Sequence, residues 1–185
     1  MLKKILLSTF MISGIAAASE LKASNIVVQS AAIAVEVSDI TQLNKAIAAA
    51  KPGDVIVMAD GSWNNAEINF NANATEKAPV TLKAKNPGKV VLTGSSSLVF
   101  SKPYLVVDGL FYTKGTTKEN TVIAFNSNYC HLTNTAIVDY NPSEKEKGYY
   151  WVFFSGNYNK MDHCFFKGKS NFQPLIGNDQ DDSRY

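Results

Sequence analysis

Arginine is almost missing from this sequence: Arg184 is the only one in 185 residues. The 18 basic residues fall to 16, equal to the 16 acidic ones, once Lys3 and Lys4 are set aside. A neutral chain without a basic stripe makes a poor nucleic-acid binder, because duplex affinity comes from neutralising phosphates. Cysteine and histidine occur twice each. The spacing of Cys130, His131, His163 and Cys164 fits no zinc motif. After the first twenty positions no apolar run reaches the ~20 residues of a membrane-spanning helix. The charged fraction is only 18% while 45% is hydrophobic, which excludes a disordered chain and suits one folded domain.

What is present begins with an address. Lys3 and Lys4 precede the apolar stretch Ile5 to Ile15, and Ala16-Ala17-Ala18 follows. A short basic region, an apolar run and small residues at −3 and −1 make a secretory signal, with residues 1–18 removed. A buried N-terminal helix is the alternative. Export to the periplasm or beyond permits a disulfide. The repeat register below places Cys130 and Cys164 differently, so two separate buried thiols are expected.

Residues 19–38 read as a lead-in without clear period. Asp39 then caps a helix, and Gln42 is placed to close a capping box. Ile40, Leu43, Ala46, Ile47 and Ala50 share one helical face. Lys51-Pro52-Gly53-Asp54 ends it, because proline cannot continue a helix and glycine accepts a left-handed turn.

Beyond Asp54 the pattern is of short strands, β-branched and aromatic, separated by Asn, Gly, Asp, Ser and Pro. There are 17 asparagines, which favours many left-handed turns. Val107 to Tyr112, Leu132 to Ile137 and Met161 to Phe166 align without gaps, at offsets of 25 and 29. Going back, Val80 precedes Val107 by 27 and Val55 precedes Val80 by 25. A period in the twenties without a recurring helix predicts an all-β parallel β-helix. Stacking would bury Val107, Leu132 and Met161 in one ladder, and Phe111 with Phe165 in another. The helix would cap the first coil. The fixed leucine pattern of a leucine-rich repeat is missing, and an antiparallel sandwich is the main rival.

Three stretches carry a family resemblance. Lys51-Pro-Gly-Asp54 with Asp60-Gly61-Ser-Trp63 resembles the start of pectin-lyase-like right-handed β-helices. Pro79 to Gly94, and Asn159 to Phe166 continuing through Lys169 to Asn178, resemble the chondroitinase B and alginate lyase family, the sixth polysaccharide lyase family. The resemblance covers about residues 36–182. It implies a secreted enzyme that cleaves uronic-acid polysaccharide by β-elimination, alginate before dermatan-type chondroitin. The C5 proton of a uronate is weakly acidic, so a cation must neutralise the carboxylate, a base take the proton and an acid help the leaving oxygen. In the family, calcium held by an asparagine and two glutamates does the first job, a lysine is the base and an arginine assists.

None of these residues can be placed here. The chain therefore reads as the front portion of a longer enzyme, with residues 39–185 its N-terminal coils and the calcium ligands beyond Tyr185. By itself it is expected to be inactive, with no catalytic and no metal residue assigned. Glu144, Glu146 and Lys147 read as a solvated loop, and Asp162-His163 as a coil edge. Asp179, Asp181 and Asp182 read as solvated rather than as calcium ligands. Lys167, Lys169, Asn171 and Gln173 follow the 161–166 strand and are the candidates to line a groove for the anionic polymer. Tyr149, Tyr150 and Trp151 could stack on sugars or pack inward. A non-catalytic polysaccharide-binding β-helix is the alternative function. A glycoside hydrolase would need two carboxylates across a groove, and no such pair stands out.

Overall fold

The computed structural model describes residues 32–144 and 148–179. The sequence elements named for 1–18 and for Glu146, Lys147, Asp181, Asp182 and Arg184 lie outside these residues. β1 (Ala34–Val37) and α1 (Ile40–Ala49) come first. Five coils of three strands follow. They are β2 (Val55–Met58), β3 (Gly61–Asn64) and β4 (Glu67–Phe70); β5 (Val80–Ala84), β6 (Val90–Gly94) and β7 (Ser97–Phe100); β8 (Leu105–Asp108), β9 (Leu110–Gly115) and β10 (Thr121–Phe125); β11 (His131–Thr133), β12 (Ala136–Val138) and β13 (Tyr150–Phe154); and β14 (Lys160–Asp162), β15 (Phe165–Lys167) and β16 (Ile176–Asn178).

Like strands of successive coils pair in parallel and build three sheets. The first runs β1-β2-β5-β8-β11-β14, the second β3-β6-β9-β12-β15 and the third β4-β7-β10-β13-β16. This is the parallel β-helix expected from the period, with the right hand that the family resemblance implies and that parallel crossovers adopt. Every pairing between these strands is parallel, so the sandwich is ruled out.

The helix start works as the cap residues require, with one shift. Asp39 Oδ1 accepts the Gln42 amide at 2.8 Å, but Gln42 Oε1 takes the Ser38 amide at 3.0 Å, one residue earlier than a capping box. Leu43 and Ile47 are buried, and the helix packs on β1, β2 and β4, closing the first coil. Part of the lead-in is ordered as β1, because its backbone pairs with β2 from Ala34–Val55 to Val37–Met58. Asp54 joins the two features: its carboxylate accepts the amides of Ile33 at 3.0 Å and Lys51 at 2.8 Å. Those backbone donors hold its pKa below the usual carboxylate range.

The inner ladder of the first sheet is Ile56, Leu82, Val107, Leu132 and Met161. The last three stand where the repeat put them. Upstream the register is corrected: Val107 faces Leu82, not Val80, and Val55 faces Thr81. In the second sheet Phe111, Ala136 and Phe165 do align, but on the outer face, and Phe165 is 56% exposed. The inner ladder there is Trp63, Leu92, Tyr112, Ile137 and Phe166, one residue along, because alternate strand side chains point to opposite faces. The third sheet stacks Phe100, Phe125 and Phe154 inside, with ring centroids 4.5 and 4.4 Å apart.

The left-handed corners are also partly as read. Gly109, Asn134 and His163 repeat at the corner between the first and second sheets, with φ of 85°, 50° and 51°. Tyrosine rather than asparagine fills the corner from the third sheet to the first: Tyr104, Tyr129 and Tyr158 have φ of 62°, 57° and 56°. Their rings stack at 5.1 and 4.9 Å, offsetting a backbone conformation that bulky residues avoid. Asparagine acts between coils instead. Asn159 takes the Cys130 amide at 2.9 Å and donates to the Ser127 carbonyl at 2.8 Å. Cys130 is buried, Cys164 is half-buried, and neither forms a disulfide.

Candidate functional site

A concavity with both polar and apolar lining lies on the outer face of the third sheet. Alternation in β4 turns Ile68 and Phe70 inward and Glu67 and Asn69 outward. Register then aligns Asn69, Val99, Ala124 and Phe153 along the coil axis. They line a cavity of about 360 Å³ together with Glu67, Glu119, Asn120, Thr121 and Asn126. Asn69 and Thr121 belong to β4 and β10, and Glu119, Asn120 and Asn126 sit in the connections that flank β10.

Polar groups in this groove are only partly used. Glu67 forms an ion pair with Lys118 at 2.8 Å, and the Lys118 ammonium holds the Glu67 carboxyl below its ordinary pKa. Asn69 Oδ1 accepts the Ser101 hydroxyl at 2.6 Å, which leaves its amide hydrogens for the groove. Among the described residues the side-chain amides of Asn120 and Asn126 have no partner. The arrangement offers amide donors, carboxylate acceptors and an aromatic side chain in the floor, which is a surface for binding a polar ring compound.

The residues singled out in the sequence stand elsewhere. Lys167 is exposed at the end of β15. Lys169 is half-buried, and its ammonium bonds the Asn171 side-chain oxygen and the Gln173 carbonyl, tying the connection between β15 and β16 together. Burial lowers the Lys169 pKa. Asn171 is buried, also accepts the Tyr149 amide at 3.4 Å, and leaves its own amide nitrogen unbonded. Gln173 is half-buried beside it. None of the four lines the groove on the third sheet. Trp151 packs inward, its indole donating to the Tyr140 carbonyl at 2.8 Å, and Tyr149 is buried beside it. Tyr150 faces outward against Phe153, ring centroids 4.9 Å apart.

Asp162 and His163 sit at a coil edge, as the repeat indicates. Asp162 is held by Lys160 at 2.6 Å, by His131 at 2.9 Å and by His163 at 3.2 Å. The Lys160 hydrogen bond, followed by those from Thr133 and the two histidines, keeps its pKa well below the carboxylate range. The carboxylate is saturated by donors, which suits a clasp between coils rather than a proton carrier.

Glu67 and Glu119 line one groove, so the structure brings together two carboxylates that the sequence showed no reason to pair. Asn69, Asn126 and Phe153 were missed for the same reason. Only the coil-to-coil register of the third strand aligns them. Among the described residues no three acidic, histidine or cysteine side chains cluster as metal ligands.

Comparison with known proteins bears on the whole coil stack. The chondroitinase B family model matches residues 37–182. The PL6 family polysaccharide lyase Pedsa3628 from Pseudopedobacter saltans is 56% identical, with a TM-score of 0.78, over 82% of this chain and 35% of that one. The PL6 family alginate lyase AlyGC is 33% identical, with a TM-score of 0.77, over 78% of this chain and 21% of that one. A mannuronic acid specific family 6 lyase from human gut microbiota is 25% identical, with a TM-score of 0.74, over 79% of this chain and 36% of that one. No curated protein matches. The chain thus spans about a third or less of the length of these structural relatives. It belongs to the sixth polysaccharide lyase family, the chondroitinase B and alginate lyase family.

Proposed function

We propose that this chain forms the first coils of a secreted lyase that cleaves alginate by calcium-assisted β-elimination. The observation that carries the reading is the family match over residues 37–182, joined to a relative 56% identical. The alginate lyase neighbour at 33% identity supports alginate over dermatan-type chondroitin. Calcium, where bound, would neutralise the uronate carboxylate and make the C5 proton removable. Its ligands, the base and the acid are expected outside the described residues. The role left to these coils is to hold the polymer and to present a rigid stack on which later coils can build. Export rests on the signal pattern of residues 1–18.

The test is the absorbance of the unsaturated uronate product. The longest form of the protein is incubated with alginate or dermatan-type chondroitin, each with and without calcium. Calcium-dependent product from alginate supports the reading, and no product from either polymer sinks it. The 185-residue chain is expected to show little or no turnover. A non-catalytic polysaccharide-binding module is the second reading, favoured by a groove rich in unpartnered amides. It predicts that alginate retards the protein in affinity electrophoresis without being cleaved.

A further inference from the structure

We propose that the groove on the third sheet is a subsite that holds a uronic-acid chain away from the bond being broken. Phe153 packs against a sugar face, Asn69 and Asn126 bond hydroxyls, and the Lys118 ammonium meets a sugar carboxylate. The inference rests on the polysaccharide lyase reading and deepens it.

Geometry supplies the first argument. The groove floor runs along the coil axis, from Asn69 on β4 to Phe153 on β13. Four neighbouring strands at about 4.8 Å spacing give a floor about 14 Å long. Each step is close to the rise of one sugar in an extended 1,4-linked chain, so successive sugars meet successive coils.

Chemistry supplies the second. A sugar ring has an apolar C–H face and a hydroxyl edge. Val99, Ala124 and Phe153 offer the apolar floor, and the free amides offer edge donors. Planar amides bond vicinal hydroxyls, donating and accepting at once. Amides left without partners at a concave surface suit a ligand that brings its own hydroxyls.

Charge supplies the third and fixes the orientation. Glu119 repels a sugar carboxylate and accepts from hydroxyls. Lys118 is not itself among the groove's lining residues, but its ammonium bonds Glu67, which is, at 2.8 Å. The Lys118 side chain is 70% exposed, and such a pair is weak, so a second carboxylate can share the ammonium. Glu67 is therefore a positioning residue for Lys118, and a uronate lies in the groove with its carboxylate toward Lys118.

The test is calorimetric titration of the 185-residue chain with a β-1,4-mannuronate tetrasaccharide and with β-1,4-mannotetraose, its carboxyl-free counterpart. The mannuronate is expected to bind more tightly. Lys118→Met should bring the two ligands to the same affinity, with circular dichroism and melting temperature unchanged because the side chain is exposed. Phe153→Ala should weaken both ligands by about three- to ten-fold. Tyr150→Phe, which keeps the ring beside Phe153, serves as the packing control and should leave both unchanged. Absence of binding by the folded chain overturns the subsite, as does equal affinity for the two ligands. So does mannuronate binding that survives both Lys118→Met and Phe153→Ala. These results are separable from the lyase reading, because product absorbance from the longest form is scored independently of binding to this chain.

Discussion

The rings of Tyr112 and Tyr140 meet edge to face, centroids 5.7 Å apart and planes at 88°, yet only one of the two hydroxyls is bonded. Tyr140 donates to the carbonyls of Gly94 and Ser96, each at 2.8 Å, with the single proton shared between them. Tyr112 Oη is buried without a partner. Burial pushes both phenols well above their ordinary pKa. Tyr112→Phe should be neutral or stabilising, because it removes an orphaned polar atom and keeps the ring. Tyr140→Phe should cost about 1–2 kcal/mol, since it takes the donor from the buried Ser96 carbonyl, while the Gly94 carbonyl keeps the Thr116 amide. Urea unfolding of the two variants checks the contrast, and a larger loss for Tyr112→Phe would refute it.

The inner phenylalanine stack should matter more than the outer one. Phe125 lies between Phe100 and Phe154, with centroids 4.5 and 4.4 Å away, and it is fully buried. Phe125→Ala is expected to cost about 3–5 kcal/mol from lost transfer energy and the cavity left behind. Phe165 is 56% exposed, and Phe165→Ala should stay within about 1 kcal/mol. Denaturant midpoints at equal slope measure both.

Asp54 should make part of the stability pH-dependent. Its folded pKa is depressed by the Ile33 and Lys51 amides. The stabilisation is thus present above the unfolded carboxylate pKa and is lost as pH falls through the folded value. Asp54→Ala should cost about 1 kcal/mol at pH 7. The difference from the parent should shrink in thermal melts as pH drops below about 4. A gap that stays constant down to pH 2 would count against the carboxylate bonds.

His163 offers a test of its role as a corner residue. Its φ of 51° is shared by position with Gly109 and Asn134. His163→Gly should change stability by no more than about 1 kcal/mol, because relief of the left-handed conformation offsets the added chain entropy. His163→Val should be clearly worse, since a β-branched residue resists that conformation. Melting temperatures of the pair decide it.

The two thiols should react slowly in the folded protein. Burial raises the pKa of both Cys130 and Cys164. An aromatic disulfide reagent at pH 7 is expected to titrate Cys164 before Cys130, and both quickly once urea unfolds the chain. Fast reaction of native Cys130 would contradict its packing.

Much of this molecule is legible in one dimension. Asp39 and the Pro52-Gly53 stop are local signals, each read from a cap or a breaker and the few residues beside it. The ladder of Val107, Leu132 and Met161 is legible because adjacent coils repeat one inward position. The strand Ala34–Val37 is not, because its order comes from pairing with β2 rather than from its own alternation. Lys169 reads as a groove cation, whereas its ammonium is turned into its own loop. That turn depends on contacts among residues 169–173 that no periodicity encodes.

The chain's period, its capping helix and its family motifs therefore determined the coil stack and the lyase family. Only the tertiary structure decided which side chains face out and which of them meet. The reason is geometric. Strand side chains alternate with a period of two, so a slip of one residue exchanges inside for outside, as at Phe165 and Phe166. Glu67, Asn126 and Phe153 lie far apart in sequence. They share a groove because parallel pairing fixes the offset between coils, and that offset varies with the length of each turn.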